Sequence, residues 1–182
     1  MNNNQARSGL VLTFAILLAI AGCSQSDNQS NGQATTSPAT GNPGKRIASA
    51  DVVKAVVEPV QLKAGGSVKV PVRLTIENGY HVNANPPSYP YLIATALEIA
   101  PAEGISARAF SYPSPITAKF SFAKDPIAVY EGTTEIIATL EADPSAKPGE
   151  RSLSAKLRIQ ACDDHVCYPP GTRDLVIRVS IK

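Results

Sequence analysis

Methionine occurs only as Met1, tryptophan does not occur at all, and cysteine occurs three times in 182 residues. Without a methionine beside the Cys/His loop described below, a copper site there would lack its usual thioether ligand. Neither sign of charge dominates: 17 basic and 15 acidic residues leave a formal +2, and no basic cluster exists to track a phosphate backbone, so nucleic acid is not an expected partner. No long 3.6-period apolar stripe with caps is present, so helix content should be small. No Ser-His-Asp arrangement, phosphate loop or paired-carboxylate site stands out, which leaves hydrolase and transferase chemistry without support.

Apolar runs are equally scarce. The longest is Leu10 to Ala21, preceded by Arg7 and followed by Gly22 and Cys23. A positive start, a short apolar run and small residues are the pattern of an export signal over residues 1–22, too short to span a bilayer as a mature helix. Ile20-Ala21-Gly22-Cys23 resembles the lipobox of bacterial lipoproteins, which implies acylation of Cys23 and anchoring to a bilayer. Ser24, rather than Asp, after the cysteine favours the outer membrane of a Gram-negative cell. Residues 23–46 hold almost no large apolar side chain and are rich in Ser, Asn, Gln, Thr, Gly and Pro, so a flexible tether is expected, with a reach of roughly 75 Å. The expected location is the periplasmic side of a bacterial membrane.

Residues 47–182 carry the strand signals of one domain, large enough to bury an apolar core without disulfide staples. Val52 to Val57 is a first strand; Gly65-Gly66 turns the chain; Val68, Val70, Val72, Leu74 and Ile76 then alternate with polar residues and Pro71. Proline cannot donate to a ladder, which puts Pro71 at an edge or a bulge. Asn78-Gly79 predicts a hairpin, and 81–91, with Pro86, Pro87 and Pro90, an ordered irregular loop in which His81 is a hydrogen-bonded residue rather than a ligand. Ala96 to Ile99 and Ile105 to Phe110 are shorter strands, 112–124 is loop-like, and Ile136, Ala138, Leu140 and Ala142 mark another alternating run. Tyr89 and Tyr91 among the prolines suit either a peptide-binding surface or a loop packed on its own domain. Seven to nine short strands at this spacing predict an all-β, immunoglobulin-like sandwich, lacking the core tryptophan and inter-sheet disulfide of antibody domains.

Two cysteines remain in a compartment that permits disulfides, in the stretch Cys162-Asp-Asp-His-Val-Cys167-Tyr168-Pro169-Pro170. Alternating runs flank it: Leu153, Ala155, Leu157, Ile159 and Ala161 before, Leu175, Ile177, Val179 and Ile181 after. The pair is therefore expected at a hairpin tip, close enough to bond and exposed enough to react. A six-residue ring stabilises by only about 2 kcal/mol in the chain-entropy model, so reactivity explains it better than stapling. A purely structural disulfide remains an alternative. So does metal binding, for which His165 with one Asp or His81 would have to complete the ligand set. Asp163 and Asp164 disfavour a thiolate, while His165 favours one only when protonated and otherwise reads as a solvated loop residue. No helix start lowers the thiol pKa, so these thiols should be poor spontaneous nucleophiles that exchange when a partner docks.

C-x4-C followed by Tyr168-Pro169-Pro170 and a closing strand resembles the active-site segment of the amino-terminal periplasmic domain of the thiol:disulfide interchange protein DsbD. Gly79-Tyr80-His81 and Val129-Tyr130-Glu131-Gly132 support the resemblance over 47–182. It implies an immunoglobulin-like thiol-disulfide oxidoreductase without cofactor or metal, a monomer, accepting electrons from a membrane or thioredoxin-like donor and passing them to client proteins. Because 1–182 carries neither a multi-helix membrane part nor a thioredoxin-like domain, the donor is expected to be a separate protein. By position, Cys167 is implied as the cysteine that attacks or is attacked and Cys162 as its resolving partner. Phe120 or Phe122 is implied as the aromatic of a cap loop, with plain core packing of the two rings as the alternative, and His165 and Tyr168 shape the site. The other reading is a non-enzymatic lipoprotein binding module whose disulfide only pins a hairpin.

Overall fold

The computed structural model describes residues 47–182; the expected export signal, Cys23 and the expected tether lie outside the described residues. Twelve strands and no helix fill this region, more strands than the seven to nine expected, because a third sheet is added to the sandwich. One sheet runs β1 (Val53–Val57), β3 (Ser67–Ile76), β9 (Thr133–Ala142), β6 (Ile105–Ser111). The second runs β2 (Val60–Leu62), β12 (Gly171–Ile181), β10 (Gly149–Ile159), β5 (Ala96–Ile99). The third runs β11 (Ala161–Cys162), β4 (His81–Asn83), β8 (Ile127–Tyr130), β7 (Ile116–Ala118). All ladders are antiparallel except β2 on β12.

Period-two alternation decides the first two sheets. Val70, Val72, Leu74 and Ile76 of β3 and Ile136, Ala138, Leu140 and Ala142 of β9 turn inward. They meet Leu153, Ala155, Leu157 and Ile159 of β10 and Ile177, Val179 and Ile181 of β12 in one buried cluster. Burying each large aliphatic side chain there stabilises by about 1.5–3 kcal/mol, and the polar residues between them face out. A one-residue slip would put every one of them in water, which fixes the register.

Two sequence expectations change. Asn78-Gly79 does turn the chain, with Gly79 at φ +84°, but it does not close a hairpin: β3 already has β1 and β9 as neighbours, and β4 pairs with β8 and β11 instead. The dipeptide supplies the turn, and burial of Val82, Ala161 and Tyr130 on the main core selects the partner strands. Pro71 lies in a strand with neighbours on both sides, yet pairing with β1 ends at Val72, so at Pro71 itself β3 is bonded only to β9. That local edge accommodates the missing donor.

Candidate redox site

The hairpin of β10 and β12 is real, its ladder ending at Ile159 opposite Gly171. Beyond that rung the chain leaves the sheet. Ala161 and Cys162 cross to the third sheet as β11, with Ala161 opposite Val82 and Cys162 opposite His81. The cysteines are therefore not on a free hairpin tip. Cys162 is 1 % exposed, and Cys167 is the partly exposed member of the pair. They are joined in a disulfide, with Cα atoms 3.9 Å apart.

The four residues between them form a turn held by one carboxylate. Asp163 N–H donates to the Val166 carbonyl at 2.9 Å, and Tyr168 N–H to the Ala161 carbonyl at 2.8 Å. Oδ1 of Asp163 accepts the N–H groups of His165 and Val166, both at 2.8 Å, the geometry of an Asx turn. Oδ2 accepts the Tyr168 hydroxyl. The Tyr168 hydroxyl, with the two backbone donors, holds the Asp163 carboxyl below its usual range, and the same bond pushes Tyr168 up to about 12. Asp163 thus has a structural task beyond its charge. His165 is exposed at the tip and bonds into this network through its backbone N–H. The Tyr168 ring packs 6.0 Å from that of Tyr80.

The third sheet has two different faces. Val82, Tyr130 and Ala161 point into the main core. His81, Asn83, Val129 and Cys162 alternate with them and share the opposite face, where Phe120, Leu92, Ile127 and Val129 make a second, smaller core. Phe120 is 3 % exposed, meets His81 edge-on at 5.2 Å and stacks on Phe122 at 5.2 Å. Phe122 is 41 % exposed. The two rings reach one another across a turn in which Ala123 N–H donates to the Phe120 carbonyl at 3.2 Å. Ser121 ties this loop to the cysteine loop, its hydroxyl donating to the Asp164 carbonyl at 2.7 Å and its N–H to the same oxygen at 3.3 Å. The aromatic loop and the disulfide loop are one connected surface.

Three further groups surround the pair, and of these only His81 carried a signal in the sequence. Asn83 is fully buried; its amide nitrogen donates to the Ile93 carbonyl at 3.1 Å and Gln160 Oε1 at 3.0 Å, leaving Oδ1 4.0 Å from the Cys162 sulfur. His81 is a strand residue rather than a loop residue, and its Nε2 lies 3.1 Å from Glu131. Ser49 is fully buried, accepts the Ala161 N–H at 2.9 Å and donates to the Pro169 carbonyl at 2.6 Å, bracing both ends of the cysteine loop. Its neighbour Ala50 crosses the start of β12 so closely that a Cβ on Gly171 would sit 2.8 Å from the Ala50 nitrogen. Among the described residues no three His, Cys, Asp or Glu side chains converge as a metal-ligand group. Tyr89 and Tyr91 stack on each other at 5.3 Å, and Tyr91 is exposed.

The family model described as "Thiol:disulfide interchange protein DsbD, N-terminal" matches residues 50–178. The chain belongs to the DsbD amino-terminal domain family. Solved structures similar to it include the reduced Neisseria meningitidis DsbD amino-terminal domain, at 18 % identity and TM-score 0.48, over 74 % of this chain and 90 % of that one. The amino-terminal periplasmic domain of ScsB from Proteus mirabilis is similar at 16 % identity and TM-score 0.46, over 70 % and 45 % of the two chains. The complex between the DsbD and PilB amino-terminal domains from Neisseria meningitidis is similar at 18 % and 0.45, over 71 % and 85 %. No curated protein matches the sequence. As a DsbD amino-terminal-like domain with a closed cysteine pair, the protein is a thiol-disulfide exchange domain with an immunoglobulin-like fold.

Proposed function

We propose that Cys162 and Cys167 form a redox-active pair that carries electrons from a membrane or thioredoxin-like thiol donor to client proteins on the periplasmic side of the membrane. The observation that carries the reading is the asymmetry of the disulfide: one sulfur is buried against Asn83 while the other is partly open beside an aromatic loop bonded to its own loop. An incoming thiolate attacks Cys167 Sγ, forms a mixed disulfide there, and releases the bonding pair to Cys162 Sγ. A second thiolate from the donor then attacks the mixed disulfide, leaving the donor oxidised and both cysteines as thiols. Passing electrons onward reverses the sequence: Cys167 attacks the client disulfide and Cys162 resolves it. Phe120 and Phe122 act as the cap, and Tyr168 with Asp163 holds the loop in shape.

The direct test is covalent capture. Cys162→Ala leaves Cys167 without a resolving partner and should accumulate a mixed disulfide in cells, visible as a mass shift that reductant removes; Cys167→Ala should form none. A Cys162→Ala protein that captures nothing contradicts the assigned roles. A double Cys→Ala variant that retains function would instead make the disulfide a hairpin pin in a binding module.

A further inference from the structure

Resting on the exchange reading, we infer that His81 is the acid that protonates Cys162 when the disulfide opens, and the base that activates it when the mixed disulfide is resolved. Opening the bond by attack at Cys167 places a negative charge on Cys162 Sγ. That sulfur is 1 % exposed, so water does not stabilise the anion, and burial disfavours a thiolate. The polar atom recorded beside it is Asn83 Oδ1 at 4.0 Å. The Asn83 orientation is fixed, because its nitrogen donates to Ile93 and Gln160. An amide oxygen cannot stabilise an anion, but it can accept an S–H. The site therefore holds an acceptor for a thiol and still needs the proton that makes one.

His81 stands directly across the ladder from Cys162. Opposed residues of an antiparallel pair lie on the same face with Cβ atoms about 4.5–5.5 Å apart, within reach of an imidazole. Its Nδ1 is enclosed and has no hydrogen-bond partner, an unusual state for a buried polar nitrogen. Its Nε2 lies 3.1 Å from the Glu131 carboxylate, an acceptor that fixes the tautomer left after transfer. Tyr80 adjoins it in the chain, Cys162 faces it from β11, and Phe120 from the covering loop contributes only a hydrocarbon edge. On the cysteine loop, Asp163 and Tyr168 are bonded to each other.

The step balances without another reactant. The Cys162–Cys167 bond breaks as the bond from the incoming sulfur to Cys167 forms. The pair on Cys162 takes the Nδ1 proton, giving a thiol that donates to Asn83 Oδ1 and a neutral imidazole whose Nε2–H remains on Glu131. In the reverse direction the neutral ring removes the thiol proton, and the Cys162 thiolate attacks the mixed disulfide.

The test is the rate at which dithiothreitol reduces the oxidised full-length protein between about pH 5 and 9, divided by the dithiothreitol thiolate concentration and scored by alkylation mass shift. The wild-type rate per thiolate should fall as pH rises through the range in which histidine loses its charge. His81→Gln should flatten that profile and lower the acid-side rate about tenfold or more. Glu131→Gln, a change at an exposed side chain, should lower the acid-side rate in the same direction and serves if His81→Gln fails to fold. Profiles of a folded His81→Gln, or of Glu131→Gln, that overlay the wild type overturn the role of His81 and leave the exchange reading standing. A wild-type disulfide that dithiothreitol leaves closed at every pH overturns both.

Discussion

Tyr168, the residue after the second cysteine, donates its hydroxyl to the carboxylate of Asp163, the residue after the first, and so spans the disulfide ring from outside. The two titrations it couples run in opposite directions. Asp163 is lowered from 3.8 by the bond, so its stabilising contribution is complete above that ordinary value and is lost as pH falls through the lower folded one. Tyr168 is raised from 10.0 to about 12, so its contribution is complete below the ordinary value and is lost as pH rises through about 12. The clasp is fully formed between those limits. Tyr168→Phe should raise the Asp163 pKa toward its ordinary range, read from the carboxyl carbon by NMR titration; an unmoved Asp163 would contradict the assignment.

Phe120 and Phe122 should separate packing from covering. Phe120→Ala removes a buried ring and should cost about 3–5 kcal/mol in urea unfolding. Phe122→Ala removes a partly exposed ring and should cost under about 1 kcal/mol, while speeding reduction of the disulfide by small thiols. Equal reduction rates for Phe122→Ala and wild type would show that the stacked pair does not limit access.

Ser49 satisfies a buried backbone N–H at Ala161. Ser49→Ala leaves that donor and the Pro169 carbonyl without their partner and should destabilise the protein by about 1–3 kcal/mol. Denaturant unfolding measures this directly, and a change within about 0.5 kcal/mol would mean that the loop relaxes around the loss.

The outer face of the third sheet was far less legible in the sequence than the sandwich that carries it. The strands β3, β9, β10 and β12 are half-buried over ten or eleven residues, so their alternation is visible in the sequence. The strands β4, β7 and β8 are three or four residues long, and β8 is covered on both faces, Ile127 and Val129 in the small core and Tyr130 in the main one. No alternation survives there, and Asn78-Gly79 then looks like a hairpin. The cysteines announce themselves by spacing and compartment. Asn83 meets Cys162 across 79 residues and Ser49 meets Ala161 across 112, separations that no local pattern encodes. His81 becomes conspicuous only when the fold places it opposite Cys162.

The acylation expected at Cys23 from the sequence, which lies outside the described residues, has its own test. Cys23→Ser should abolish incorporation of labelled fatty acid and release the protein from the membrane fraction, leaving the thiol-disulfide chemistry of Cys162 and Cys167 unchanged. Retention of label in that variant would contradict lipidation at this position.

The central claim, that Cys162–Cys167 exchanges rather than staples, is tested most directly by a redox titration of the purified protein against glutathione and dithiothreitol buffers, scored by thiol alkylation. An exchanging pair should give a midpoint of roughly −270 to −120 mV, whereas a midpoint below about −300 mV would mark a structural disulfide and contradict the proposed function.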